Sequence, residues 1–231
     1  MKCISSLRAF VVLWWLVLCC VPPLRAQETI VAIRHGEKPP AGLGQLDCKG
    51  LNRALALPKI LISRFGRPDA IYAPDPADMN RGPGGRFYSY VRPLMTIEPT
   101  AIVLGMPINA QIGFKDIGQL QTALTAPRYA HALIFVAWEH KMLNQFAKQM
   151  LKRYGKNPDE VPAWPTSDYG RIYVFRIRTA DGKTELSFQV AQEGLTRKLN
   201  DTCPGPDNFL HASSSLESAA HSESGVPESP R

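Results

Sequence analysis

Of the five histidines in this 231-residue chain, His211 and His221 lie in a C-terminal stretch dominated by Ser, Glu and Pro. The other three are His35, His131 and His140, and two of them stand where chemistry is done. His35 belongs to Arg34-His35-Gly36, directly after the β-branched and apolar run Thr29–Ile33. His140 follows a second apolar run, Ala132–Ala137, with Trp138 and Glu139 between. An imidazole and a guanidinium at the end of a buried strand are poorly placed for packing and well placed to grip a phosphate. A neutral imidazole can attack phosphorus through a lone-pair nitrogen, provided that its other nitrogen is held as a donor by a carbonyl. Gly36 permits such a close backbone approach, and a guanidinium fork matches phosphoryl oxygens.

Positioning these groups requires a parallel sheet. Thr29–Ile33 reads as a strand, 39–44 as a Pro/Gly loop, and Asp47 or Cys48 opens a helix to about Phe65, which Pro58 is expected to kink or divide. Asp69–Ala73 reads as a second strand, which completes one βαβ unit with a right-handed crossover. Residues 74–88 form a long loop at the sheet edge where open α/β folds place ligands, and it carries Arg81 and Arg86. Those arginines read either as substrate contacts or as solvated loop charge. A helix over Tyr88–Leu104 has Pro93 in its first turn and Arg92 near its N-terminus. Met106–Asn109 reads as a short strand and 116–124 as a helix. Ala132–Ala137 is a central strand followed by a helix from Lys141 to Tyr154. Arg171–Arg178 and Thr184–Gln192 pair around Asp181-Gly182. Parallel strands share a direction, so His35 and His140 are expected at one edge of the sheet.

With its strand, its Arg34-His35-Gly36 triplet, a mid-chain Arg92 and a late His140, the sequence resembles the histidine phosphatase superfamily over about residues 28–178. The resemblance implies a phosphoglycerate mutase-like fold, a three-layer α/β/α sandwich with a mostly parallel central sheet. It also implies His35 as nucleophile, with Arg34, Arg92 and His140 binding the phosphoryl group, and it requires no metal or cofactor. No metal-ligand spacing occurs in the chain. Gly36, Glu37, Arg81 and Arg86 are the expected substrate-binding neighbours. In the acid-phosphatase branch of that superfamily the general acid follows the second histidine; here Lys141 follows it and Glu139 precedes it. Glu139 is the leading candidate acid, with Glu37 and Asp116 as alternatives.

The net charge of +7 sits in the interval 27–203. Three of the 27 Lys and Arg lie in 1–26 and one in 204–231, whereas four of the 20 acids lie in 204–231. A basic core suits an anionic ligand. No zinc-finger or recognition-helix motif points to nucleic acid. Lys2 and Arg8, the apolar run Ala9–Val21 and Leu24-Arg25-Ala26 read as a signal peptide cut after Ala26, with an uncleaved anchor as the alternative. The expected organisation is a signal peptide (1–26), one domain (27–203) and a disordered tail (204–231). Export leaves Cys48 and Cys203, either as one disulfide or as two buried thiols. Together these features give a periplasmic or secreted phosphatase of a phosphorylated small molecule or envelope component, touching the membrane only if the signal segment is retained. The rival is a weak or inactive phosphate-binding envelope protein of the same fold; a mutase is the poorer alternative.

Overall fold

The computed structural model describes residues 27–205. The expected signal peptide, and the expected tail beyond residue 205, lie outside them. The first strand, β1 (Glu28–Arg34), leads through a loop to helix α1 (Cys48–Phe65) and strand β2 (Ala70–Pro74). A small hairpin, β3 (Met79–Arg81) and β4 (Phe87–Ser89), precedes helix α2 (Arg92–Leu104) and strand β5 (Asn109–Ile112). Helix α3 (Ile117–Leu124), strand β6 (Leu133–Trp138) and helix α4 (His140–Arg153) follow, and β7 (Arg171–Ala180) with β8 (Lys183–Gln192) closes the fold.

The central sheet has the order β5-β2-β6-β1-β7-β8. Its first four strands run parallel, and β7 and β8 add an antiparallel edge. Alternation along the strands builds two cores. Ile30, Ala32, Ile134 and Val136 pack with Leu120 of α3 and Phe146 of α4. Val31, Ile33, Phe135 and Ala137 pack on the other face, with Leu57 and Leu61 of α1 and Ile97 of α2. The strands bury both faces, which is why they read as continuous apolar runs. This is the expected three-layer α/β/α class.

Several boundaries differ from expectation. Helix α1 is not divided at Pro58, one of the two outcomes expected there; a single missing donor is tolerated where Leu57 and Leu61 are fully buried in the core. The expected 74–88 loop is largely the β3–β4 hairpin, residues 79–89, turned by Gly84 and Gly85 at φ 73° and 78°. Strand β4 takes Tyr88, so α2 starts only at Arg92. Strand β5 lies three residues later than Met106 suggested. The β7–β8 turn is at Asp181-Gly182, both with positive φ, as a two-residue hairpin with matching twist requires.

Cys48, the first residue of α1, is disulfide-bonded to Cys203. Among the described residues, no helix is long and apolar enough to cross a membrane.

Candidate active site

Strand pairing brings the two histidines together. Strands β1 and β6 run in parallel register with Arg34 opposite Trp138, and the His35 amide donates to the Trp138 carbonyl (3.0 Å). Both chains therefore leave the sheet at the same edge. There a cleft of about 630 Å³ is lined by Arg34, His35, Lys38, Tyr90, Arg92, Glu139, His140 and Lys141, with Asn80, Phe114, Met142, Thr166 and Tyr169 completing it. Arg92 and His140 are each the first residue of a helix, α2 and α4. Two positive helix ends thus face the cleft, an arrangement that favours an anion.

His35 is 2% exposed, and its Nδ1 lies 2.7 Å from the Gly36 carbonyl oxygen. A carbonyl can only accept, so Nδ1 carries the proton and Nε2 keeps its lone pair. Burial, reinforced by Arg92, Arg34 and His140, holds the imidazole pKa well below 6.5 against the opposing pull of that hydrogen bond. His35 is neutral with a defined tautomer. The Gly36 amide donates to Thr96 Oγ1 (2.9 Å), which itself donates to the Arg92 carbonyl (2.8 Å), so the motif and α2 are joined.

Gly36 is required by close approach. A Cβ there would lie 2.9 Å from Gly50 Cα, and one on Gly50 would lie 2.3 Å from the Glu37 carbonyl oxygen. The N-terminal turn of α1 is thereby pressed against the histidine loop. Gly36 orients His35 with its backbone and does not itself line the cleft.

The two arginines are aimed by local contacts. Arg34 Nη1 donates to the Thr166 (2.8 Å) and Asp168 (3.1 Å) carbonyls, and its guanidinium lies 3.7 Å over the Tyr169 ring. Arg92 Nη1 donates to the Gly42 carbonyl (2.6 Å), and its guanidinium lies 4.8 Å from the Tyr90 ring centroid. Arg34 Nε, Arg92 Nε and the Tyr90 hydroxyl are buried without a hydrogen-bond partner. Burial pushes the Tyr90 phenol far above its ordinary value, so it remains a donor. Three buried donors on cleft-lining residues fit a ligand with several acceptor oxygens.

Glu139 and Glu37 depart from their expected roles. Glu139 is the N-cap of α4: Oε2 accepts from the Met142 amide (2.9 Å), and Oε1 lies 2.6 Å from His140 Nδ1, close but poorly aligned for a hydrogen bond. Burial acts to raise the Glu139 carboxyl, but His140 and the Met142 and Lys141 amides outweigh it and hold the group below the ordinary range. It is a carboxylate, unsuited to donate a proton. Glu37 receives Arg53 Nε (2.9 Å) and Nη2 (2.6 Å) in a buried bidentate pair. It lines no part of the cleft, and neither does Asp116, the N-cap residue of α3. Among the described residues, Glu139 is the sole carboxylate of the cleft.

Arg81 does not line the main cleft but a recess beside it, and Arg86 lines neither. The sequence reading noted Lys141 only as the residue after His140 and did not mark Lys38, Tyr90 or Tyr169; Lys38, Tyr90 and Lys141 stand within three residues of His35, Arg92 or His140, the one signal that could have marked them. Among the described residues no group of three or more His, Cys, Asp or Glu could hold a metal ion.

Fold and site together define a class: an α/β/α domain holding a buried neutral imidazole, two guanidinium groups and a second imidazole at the edge of a mainly parallel sheet. No family model and no curated protein matches the chain. Among solved structures, it is similar to a Nakamurella multipartitia protein assigned as phosphohistidine phosphatase SixA, with 14% identity and a TM-score of 0.49 over 72% of this chain and 96% of that one. A phosphoserine phosphatase variant from Entamoeba histolytica in complex with phosphoserine is 14% identical, with a TM-score of 0.46 over 74% and 99%. A Plasmodium falciparum phosphoglycerate mutase is 10% identical, with a TM-score of 0.39 over 71% and 99%.

Proposed function

We propose that the protein hydrolyses phosphomonoesters through a phosphohistidine at His35. The observation that carries this reading is the 2.7 Å contact from His35 Nδ1 to the Gly36 carbonyl, which leaves Nε2 as a neutral nucleophile beside two guanidinium groups. Nε2 attacks phosphorus, and the bond to the leaving oxygen breaks with its electron pair going to that oxygen. Water then attacks phosphorus, the Nε2–P bond breaks and returns its pair to the imidazole, and inorganic phosphate departs. Arg34, Arg92 and His140 hold the non-bridging oxygens as charge shifts among them, and the Tyr90 hydroxyl adds a neutral donor. Glu139 places a negative charge 2.6 Å from His140 Nδ1.

Glu139 is held ionised, so a leaving group that departs without a borrowed proton is turned over best. Aryl phosphates are expected to exceed simple alkyl phosphates in kcat by about 10²–10⁴, the usual contribution of a general acid. The disulfide among the described residues supports an extracytoplasmic setting.

A second reading, an anion-binding envelope protein of weak or no activity, is favoured by that same lack of a protonated carboxyl. Hydrolysis of p-nitrophenyl phosphate, with His35→Ala as control, separates the two. Turnover abolished by the substitution supports the phosphatase. Phosphate binding without turnover supports the binding protein, and turnover that survives the substitution removes His35 from the mechanism.

A further inference from the structure

Beside the main cleft lies a recess of about 100 Å³, lined by Lys38, Arg81, Arg92, Asn80 and Tyr88 with the backbones of Gly42, Gly44 and Gly82. Lys38, Asn80 and Arg92 also line the main cleft, so the two spaces adjoin across those three side chains. The recess is bounded by the 39–44 loop on one side and the β3–β4 hairpin on the other. The loop is pinned to α2, where the Gly44 carbonyl accepts from the Arg92 amide (3.0 Å), and it presses on β4, where a Cβ on Gly44 would lie 2.1 Å from the Ser89 carbonyl oxygen. Three of its lining side chains are cationic and none is acidic. Among the described residues, neither Lys38 nor Arg81 has an ion-pair partner. The volume suits a carboxylate or phosphate group and is too small for a nucleobase or sugar ring with its shell of contacts.

We propose that this recess takes a second oxyanion of the substrate, so that the protein acts on compact phosphomonoesters bearing a carboxylate or a second phosphate near the scissile ester. The proposal rests on the phosphatase reading for its chemistry. Arg92 lies between the two anions, Lys38 closes over them from the histidine loop, and Arg81 reaches the second one alone. Because Arg81 is exposed on the hairpin, its replacement leaves the fold intact.

Binding and turnover test it separately. Calorimetry on the full chain compares methylphosphonate with phosphonoacetate, which adds a carboxylate, and with methylenebisphosphonate, which adds a second phosphonate. At least one of the two bis-anions is expected to bind about tenfold or more tightly than methylphosphonate, as a charge-assisted contact implies. Arg81→Gln is expected to bring the ratio close to one, Arg81→Lys to retain part of it, and added salt to reduce it. The tighter of the two identifies the second anion as carboxylate or phosphate. Equal affinity for all three probes, or a ratio unchanged in Arg81→Gln, overturns the proposal. In parallel, KM is compared for phenyl phosphate and 2-carboxyphenyl phosphate. If neither is hydrolysed, the phosphatase reading fails while the binding ratio still decides the recess; if both are hydrolysed with equal KM, the recess fails and the phosphatase stands.

Discussion

The surroundings of His35 suit it to the nucleophile's role in the proposed reaction. Its own neighbour's carbonyl fixes the tautomer, and burial among Arg92, Arg34 and His140 keeps it neutral. The folded protein resists protonating this ring, whereas the unfolded chain takes up the proton near the ordinary value of 6.5. Between 6.5 and the depressed folded value the unfolded state binds more protons, so His35 contributes stability that is present above 6.5 and lost as the pH falls. An NMR titration of the ring resonances is therefore expected to show no His35 step near 6.5. A step at that value would mean a solvated, ordinary imidazole. The residue types of Arg34, His35, Arg92 and His140 were legible in the sequence because strand periodicity fixes where such side chains emerge. The ionisation of Glu139 was not, since it depends on amides that the fold turns toward it.

At the scale of elements, α1 braces the histidine loop. Asp47 caps it by accepting from the Gly50 amide (2.8 Å), Gly50 packs against Glu37, and Arg53 binds both Glu37 and Glu193 while fully buried. Two carboxylates share one guanidinium, and burial pushes the Glu193 carboxyl up to about 7. Arg53→Met leaves those carboxylates without their cation. It is expected to cost about 3–5 kcal/mol in chemical denaturation, as removal of one member of a buried ion pair does. A loss under ~1 kcal/mol would show that α1 does not brace the loop through Arg53. Sequence pattern located α1, β1, β6 and the β7–β8 hairpin. It did not locate the Arg53 cluster, whose partners lie 16 and 140 residues away. Nor did it find β3 and β4, because short strands built around Gly82, Gly84 and Gly85 carry too little alternation to register as a period.

For the whole molecule, the mixed sheet carries the cleft at one edge, and the Cys48–Cys203 bridge fastens residue 203 to the first residue of α1 across a separation of 155 residues. A loop that long makes the bridge a constraint chiefly on the unfolded chain. Replacing both cysteines by serine is expected to lower stability by about 5 kcal/mol in the chain-entropy account, read as a drop in the denaturation midpoint. An unchanged midpoint would show that the bridge constrains little. The sequence left disulfide and free thiols equally open, because pairing depends on where the chain end returns.

The proposed reaction transfers the phosphoryl group to His35 Nε2. The most direct test mixes the protein with p-nitrophenyl phosphate, quenches within a turnover in alkali, which preserves phosphoramidates, and maps the labelled peptide by mass spectrometry. One phosphoryl group is expected on His35 and none in His35→Ala. Turnover with no phosphoryl-enzyme, or with the group on another residue, would contradict it.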